Sequence, residues 1–380
     1  MKDTCIIKAA PVYASLLAEI RRNIRTGKVL PGQSIGTEVG LAAAAGISRV
    51  SVRRAVDRLI EEGLVIRRAG KGIFVAKPGG VSARVHVVLA NLEHDIHLGV
   101  FRGVQRFGQL NGTHVQVYDA HGNVDADIEF IRQLPHTPSD GAIIVAIHTP
   151  RFAKALFDLK ASGFPMVLVD QRLSSLEVPS VLTDNYRGGF LLGKELVALG
   201  HRRVGVIGDL LNAHTVRDRL QGLQDAFIDA GLSFDRSLIV DLEITDILSP
   251  STEPVERGVY RLMQRPDRPT AIFCTNDINA IRAYAPLKAL DLRVPQDVSV
   301  VGFDDLPFCP YVDPPLSTVR QPFEEMGRIA LEMLLKQIAT RKRGEKGTGA
   351  EYRLLTPIWV PRGSAAPPPG PDHSNPTLRR

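Results

Sequence analysis

The sequence predicts two folding units in series: an N-terminal winged helix-turn-helix, made of helices with a small β wing, and a C-terminal α/β domain of two lobes on parallel sheets. Three observations predict this. At 380 residues the chain exceeds one ordinary core. Positive charge is confined to one end: residues 1–80 hold 14 Lys plus Arg against 6 Asp plus Glu, a net of +8, and the other 300 hold 33 against 35, a net of −2. The apolar pattern also changes, from helix-helix-turn-helix-hairpin to repeated β-α units. A basic module attached to a near-neutral one is the charge footprint of a polyanion-binding domain; the alternative is a solubilising basic tail.

Composition narrows the class further. A hydrophobic fraction of 44% with 23% charged residues is ordinary for a globular protein. No run approaches the ~18 consecutive apolar residues that cross a bilayer, and Met1 to Cys5 lead into no long apolar segment, so no membrane association and a cytoplasmic location are expected. Cys5, Cys274 and Cys309 lack metal spacing and read as free thiols, so neither metal nor cofactor is expected.

In the first unit, Leu16, Leu17, Ile20 and Ile24 recur at helical spacing within 11–24. Gly27 stops that helix and Pro31-Gly32 turns the chain. A small, alanine-rich helix follows from Glu38 to Ala45 and is broken by Gly46. Ser48 is placed to cap a third helix, Arg49 to Glu62. Leu64–Ile66 and Ile73–Val75 read as two strands joined through Gly70-Lys71-Gly72. At about 100° per residue, Val52, Ala55, Val56 and Leu59 of the third helix share the inward arc. Arg49 and Arg53 stand one turn apart on the outward arc, beside Val50 and Arg54. Arginine matches the two acceptors of guanine in the major groove, and Ser51 suits a phosphate. Lys71 at the wing tip is placed to reach an adjacent backbone or minor groove. An arginine-rich helix on its own also reads as a solvated surface.

The strings Gly27-Lys28-Val29-Leu30-Pro31-Gly32, Gly46-Ile47-Ser48-Arg49-Val50-Ser51-Val52-Arg53-Arg54-Ala55 and Gly70-Lys71-Gly72-Ile73-Phe74-Val75 resemble the DNA-binding domain of the GntR family across nearly the whole segment. The resemblance implies double-stranded DNA as partner. Residue by residue it points to Arg49, Ser51 and Arg53 with the wing glycines, Gly72 among them; Arg54 and Lys71 join them as DNA-binding candidates. Gly36 departs from the family's usual Pro or Ser and leaves open where the second helix starts.

The expected organisation is 1–76 for the DNA-binding domain, 77–83 for a linker containing Pro78-Gly79-Gly80, 84–364 for the two-lobed domain, and a disordered Pro-rich tail at 365–380. Lobe 1 is expected at about 84–182 and 322–350, lobe 2 at about 183–321 and 351–364. Eight strands are predicted: Val85–Leu89, His114–Tyr118, Ala142–Val145, Met166–Val169, Val204–Ile207, Leu238–Leu242, Ala271–Phe273 and Val298–Val301. Helices lie between them, such as Val100–Leu110, Phe190–Leu199, Leu220–Ala230 and Asn279–Leu290, the last interrupted by Pro286. His94, Asp170, Asn276-Asp277 and Asp304-Asp305 follow strand ends, where open α/β sheets bind ligands.

Val169-Asp170-Gln171-Arg172, Thr183-Asp184-Asn185-Tyr186-Arg187-Gly188-Gly189, Arg217-Asp218-Arg219-Leu220-Gln221-Gly222, Val300-Val301-Gly302-Phe303-Asp304-Asp305 and Thr318-Val319-Arg320-Gln321-Pro322 resemble the sensor domain of LacI/GalR-type repressors and periplasmic sugar-binding proteins, from about Arg84 to Ser364. The resemblance implies effector contacts at Asp170, Arg219, Asn276, Asp304 and Gln321, with His97 and His94 in the first β–α loop as further candidates. Carboxylates, amides and a guanidinium suit the vicinal hydroxyls of a sugar. Each aspartate or asparagine also reads as a cap, and each histidine as an ordinary surface residue.

A GntR-type head on such a sensor is the arrangement of AraR-type repressors. It implies a homodimeric transcriptional regulator whose two heads bind an operator and whose sugar-like effector releases repression. Corepression and a transport solute-binding protein are the alternatives. The chain contains no Gly-x-Ser-x-Gly, His-Glu-x-x-His or P-loop string, so no enzyme activity is expected.

Overall fold

The computed structural model describes residues 13–61, 64–68, 70–76, 83–92, 95–145, 150–171, 173, 176–209, 214–242, 251–345 and 351–370. Two compact units divide the chain, the first holding the N-terminal residues through Val85 together with Gln105–Val115.

The N-terminal unit runs α1 (Tyr13–Arg25), β1 (Ser34–Gly36), α2 (Glu38–Ala45), α3 (Arg49–Glu61), β2 (Val65–Arg68) and β3 (Gly72–Val75). Leu16, Leu17 and Ile20 of α1 pack with Ala42, Val52, Ala55, Val56, Leu59, Val65 and Ile73 in one core. The inward arc expected for α3 is fully buried, and its larger side chains each contribute roughly 1.5–3 kcal/mol on burial. Thr37 caps α2, its Oγ1 accepting from the Gly40 N–H at 3.1 Å; the helix therefore starts at Glu38 despite Gly36. Gly46 ends it in the left-handed region. Ser48 caps α3, accepting from the Ser51 N–H at 3.1 Å.

The wing is a three-stranded sheet of order β1-β3-β2, one strand more than predicted. Ser34–Gly36 is too short for its own period and is made a strand by pairing with β3, Ser34 opposite Phe74 and Gly36 opposite Ile73. Gly36 has φ +108°, and its carbonyl oxygen lies 2.7 Å from where a Cβ of Gly72 would stand. Glycine at both positions lets the two backbones meet.

The C-terminal unit runs β4 (Arg84–Leu89), α4 (Asp95–Asn111), β5 (His114–Asp119), α5 (Val124–Gln133), β6 (Gly141–Val145), α6 (Pro150–Ala161), β7 (Met166–Val169), β8 (Ser180–Thr183), α7 (Asn185–Ala198), β9 (Val204–Gly208), α8 (His214–Asp229), β10 (Ile239–Asp241), α9 (Glu253–Met263), β11 (Ala271–Cys274), α10 (Asp277–Arg282), α11 (Tyr284–Ala289), β12 (Ser299–Val301), β13 (Thr318–Arg320), α12 (Phe323–Lys342), β14 (Tyr352–Leu355) and β15 (Ile358–Val360). One lobe holds a six-stranded sheet of order β14-β8-β7-β6-β4-β5; the other holds β10-β9-β11-β12. Parallel pairing recurs in both sheets. Alternate residues of the second sheet feed two cores: Ile207, Ile272 and Val300 on one face, Val206, Phe273 and Val301 on the other. Burial on both faces explains why these strands read as continuous apolar runs.

Three expectations are corrected. Tyr352–Leu355 pairs with β8 and belongs to the first lobe's sheet; only β15, antiparallel to β13, follows the last crossing. The helix expected over Asn279–Leu290 is two helices broken at Ala283. Pro286 cannot donate to the Arg282 carbonyl and clashes with it, so the break falls one turn earlier. The tail expected from Ala365 is anchored at its start, at Ala366. His201 Nε2 donates to the Ala366 carbonyl at 3.0 Å, and the Ala366 N–H donates to Ser299 Oγ at 3.0 Å. The linker over 77–82, His94, Arg172 and the chain beyond Gly370 lie outside the described residues. Among the described residues no helix is long and apolar enough to cross a membrane.

Helices α7 and α8 pack at backbone contact. A Cβ on Gly189 would run into the Arg219 carbonyl oxygen, one on Gly222 into that of Tyr186, and one on Gly193 would lie 2.6 Å from Ala226 Cβ. Gly189→Ala must therefore push α8 off α7. The expected loss is roughly 1–3 kcal/mol or more in urea unfolding of the full chain, against a change within about 0.5 kcal/mol for an exposed-site control such as Arg187→Ala.

Candidate functional site

The chain passes between the two lobes near Asp184, Gln321 and Pro357, where β8 leads to α7, β13 to α12, and β14 to β15. Four of the predicted effector residues meet around the first two crossings. Arg219, on α8, is 6% exposed. Its Nε donates to Asn185 Oδ1 at 2.8 Å and its Nη1 to the Thr275 carbonyl at 2.6 Å. Asp304 Oδ1 lies 3.7 Å from Nη1, and the guanidinium stands 3.8 Å over the Phe303 ring. Gln321 Nε2 donates to Asp304 Oδ1 at 2.7 Å. Asp170, at the C-terminal end of β7, interacts electrostatically with the same guanidinium.

Backbone conformation aims these groups. Asp170, Asp304 and Asp305 are non-glycine residues with φ of +61°, +128° and +60°. Such conformations cost about 1–3 kcal/mol each and persist where surrounding structure imposes them. Asp305 is held by Arg320 Nε at 2.5 Å and Arg362 Nη2 at 2.6 Å. The Asp304 N–H donates to the Val319 carbonyl at 2.8 Å, tying the loop to β13.

Burial dominates the site's electrostatics. It pushes the Asp170 carboxyl up to about 6 against the pull of Arg219. It pushes Asp304 to about 8, with Asp277 and Asp170 adding to the rise and Arg219 and Gln321 opposing it. It lowers Arg219, against the four aspartates Asp304, Asp170, Asp277 and Asp218. Four buried oxygens on residues of this cluster or adjoining them in the chain, Asp170 Oδ1, Gln171 Oε1, Thr275 Oγ1 and Gln321 Oε1, have no hydrogen-bond partner among the described residues. In a dry site such groups cost about 1–3 kcal/mol each unless something donates to them.

The other two predicted effector residues have local duties. Asn276 caps α10, its Oδ1 accepting from the Asn279 N–H at 2.8 Å. His97 Nδ1 lies 2.6 Å from the Asn91 carbonyl oxygen in the loop after β4. Sequence reasoning missed Gln171, Asn185, Thr275 and Phe303, though each adjoins or lies within a motif it singled out. It also paired Asp277 with Asn276 as a cap. In the fold Asp277 is fully buried and accepts from Thr318 Oγ1 at 2.5 Å, the Leu306 N–H at 2.8 Å and Cys309 Sγ at 3.2 Å. It is a structural hub beneath the site.

In the N-terminal unit, Arg49, Arg53 and Arg54 are exposed along one side of α3, and Val50 beside them is 64% exposed. Ser51 Oγ lies 2.9 Å from Ser48 Oγ at the same helix end. Lys71 is exposed at the wing turn, and Gly72 begins β3 opposite Arg68. Arg67 ties the wing to both helices, to Asp57 of α3 at 2.6 Å and Glu38 of α2 at 2.9 Å. Glu38 also lies 3.9 Å from Arg53 Nε. Helix and wing thus present cations in an arrangement suited to a duplex groove and its flanking phosphates.

The sequence matches the family described as bacterial regulatory proteins, gntR family, over residues 12–75, and the periplasmic binding protein-like domain over 194–365. The arabinose metabolism transcriptional repressor of Geobacillus stearothermophilus is 31% identical over 88% of this chain and 93% of its own. The ribose operon repressor of Haemophilus influenzae is 32% identical over 70% of this chain and 76% of its own. Among solved structures, a LacI family transcriptional regulator from Enterococcus faecium with bound ribose shares the fold, with a TM-score of 0.61 at 24% identity over 75% of this chain and 99% of that one. The chain therefore belongs to the family of transcriptional repressors in which a GntR-type DNA-binding head is joined to a periplasmic-binding-protein-like sensor domain, the family of the arabinose metabolism repressors.

Proposed function

We propose that this protein is a cytoplasmic homodimeric repressor whose heads bind a two-fold-related operator and whose hold on DNA is released by a sugar bound at the residues around Arg219. The observation that carries the reading is the set of four buried oxygens, on Asp170, Gln171, Thr275 and Gln321, that lack partners among the described residues, in a chain that also bears the exposed arginine face of α3. Vicinal hydroxyls of a sugar bring donors to those oxygens and accept from the guanidinium. The ligand spans groups from both lobes, Asp170 from one and Arg219 and Asp304 from the other. It therefore binds best when the lobes are closed, and it shifts DNA affinity by its differential affinity for the two lobe arrangements. Relatives that are repressors of arabinose metabolism and of a ribose operon make pentoses the first sugars to test.

The test is a mobility shift of full-length protein on the DNA upstream of its own gene, at fixed salt, with arabinose, ribose, xylose and cellobiose added. A sequence-selective complex dissociated by one sugar is expected. A complex that tightens instead makes the sugar a corepressor, and indifference to every sugar removes the effector assignment while leaving the regulator.

Arg53→Ala is expected to cost about 1–3 kcal/mol of operator affinity and to relax selectivity at one base position, whereas Lys71→Ala should weaken all sequences alike and lower the salt slope by about 1. Arg219→Gln should retain operator binding and weaken the sugar response by roughly 10–150-fold, the worth of a charged hydrogen bond; a concentration series of sugar against a preformed complex reads this directly.

A further inference from the structure

In the first turn of α3, the residue turned farthest from the core is not an arginine. At about 100° per residue, the buried arc of Val52, Ala55, Val56 and Leu59 centres about 170° around the helix from Val50. Val50 is 64% exposed, whereas those four are fully buried. Arg54 stands about 40° to one side of it and Arg53 about 60° to the other, each roughly one turn farther along. The Arg53 side chain is 69% exposed. Asp57, two turns on along the same line, is held by the wing, where Arg67 Nη1 reaches its Oδ1 at 2.6 Å. The centre of the basic face is therefore an isopropyl group set between cations.

Neither packing nor helix stability accounts for valine there. Val50 has no place in the head's hydrophobic cluster. Valine ranks with serine and asparagine as a helix former, and either of those would leave less apolar surface in water. In a major groove, chemistry limits what an isopropyl group can do, because it neither donates nor accepts. Laid on the edge of guanine, adenine or cytosine, it strips water from polar groups that it cannot satisfy. Thymine alone among the four bases presents a C5 methyl group in that groove, and two hydrocarbon surfaces gain by meeting.

We infer that Val50 is a specificity-determining residue that reads the C5 methyl of a thymine in the operator, beside a guanine read by an arginine of the same face. The inference rests on α3 as the element that enters the groove, where the N-terminal residues of such a helix face base edges. Val50 and Arg53 are three residues apart, about 4.5 Å along the axis, little more than one base-pair step of about 3.4 Å. The thymine therefore lies within about two base pairs of the guanine. Discrimination has two sources: contact with the methyl favours thymine, and the covered polar edge penalises the other bases.

The test begins with the full-length protein and a pool of randomised duplexes, from which bound sequences are selected at fixed salt. Equilibrium binding is then measured on the selected duplex and on copies in which each thymine is singly replaced by uracil, which removes the methyl and keeps the pairing. One thymine in each half-site, within about two base pairs of a guanine, is expected to show a loss of about fourfold, the worth of one hydrocarbon carbon taken out of water. In Val50→Ala, checked for unchanged thermal unfolding, the thymine duplex should bind several-fold more weakly. The uracil penalty at that thymine should vanish, while penalties elsewhere stay as they were. Uracil penalties that all survive Val50→Ala, or the lack of any uracil-sensitive thymine, overturn the inference and leave α3 on the operator. Failure to recover any sequence-selective duplex removes both.

Discussion

The guanidinium of Arg219 is the group on which the sensor's architecture turns. Buried cations survive only when paired and hydrogen-bonded, and this one draws on both of the first two crossings. Asn185, at the start of α7, accepts from its Nε. Asp304, held to Gln321 at the end of β13, stands opposite its Nη1. This buried charge therefore ties together two of the segments at which the chain passes between the lobes.

That placement depends on glycine. Gly189, Gly193 and Gly222 remove the Cβ atoms that would separate α7 from α8, and the resulting backbone contact sets the Arg219 carbonyl against α7. A charged group used in this way needs a rigid mount, because a shift of an ångström trades a hydrogen bond for an unpaired charge. Asp277 plays the matching part below the pocket, joining α10, β13 and the 306–309 turn through three donors. The first lobe shows the same economy: Gly103 and Gly327 bring α4 and α12 together at their backbones.

The DNA-binding head was the most legible part. Its core is local, drawn from three consecutive helices and a hairpin, so the period of α3 alone separated Val52, Ala55, Val56 and Leu59 from Arg49, Arg53 and Arg54. Short strands were less visible. Ser34–Gly36, Thr318–Arg320, Tyr352–Leu355 and Ile358–Val360 are three or four residues long, and each exists by pairing with a distant partner. The assignment of Tyr352–Leu355 to the wrong lobe has the same origin, since a four-residue strand carries no mark of the sheet it joins.

What the sequence by itself determined is the class of each unit, the basic face of α3, and the short list from which Asp170, Arg219, Asp304 and Gln321 came, because periodicity, net charge and residue chemistry are local properties of the chain. Tertiary structure alone decided which of those candidates meet. It gave Asn276 to a helix cap and His97 to Asn91, and brought Asn185 and the Thr275 carbonyl to Arg219. It also set burial, and burial is what raises the carboxyls at the site. The physical reason is that desolvation depends on every atom surrounding a group, most of them far away in sequence.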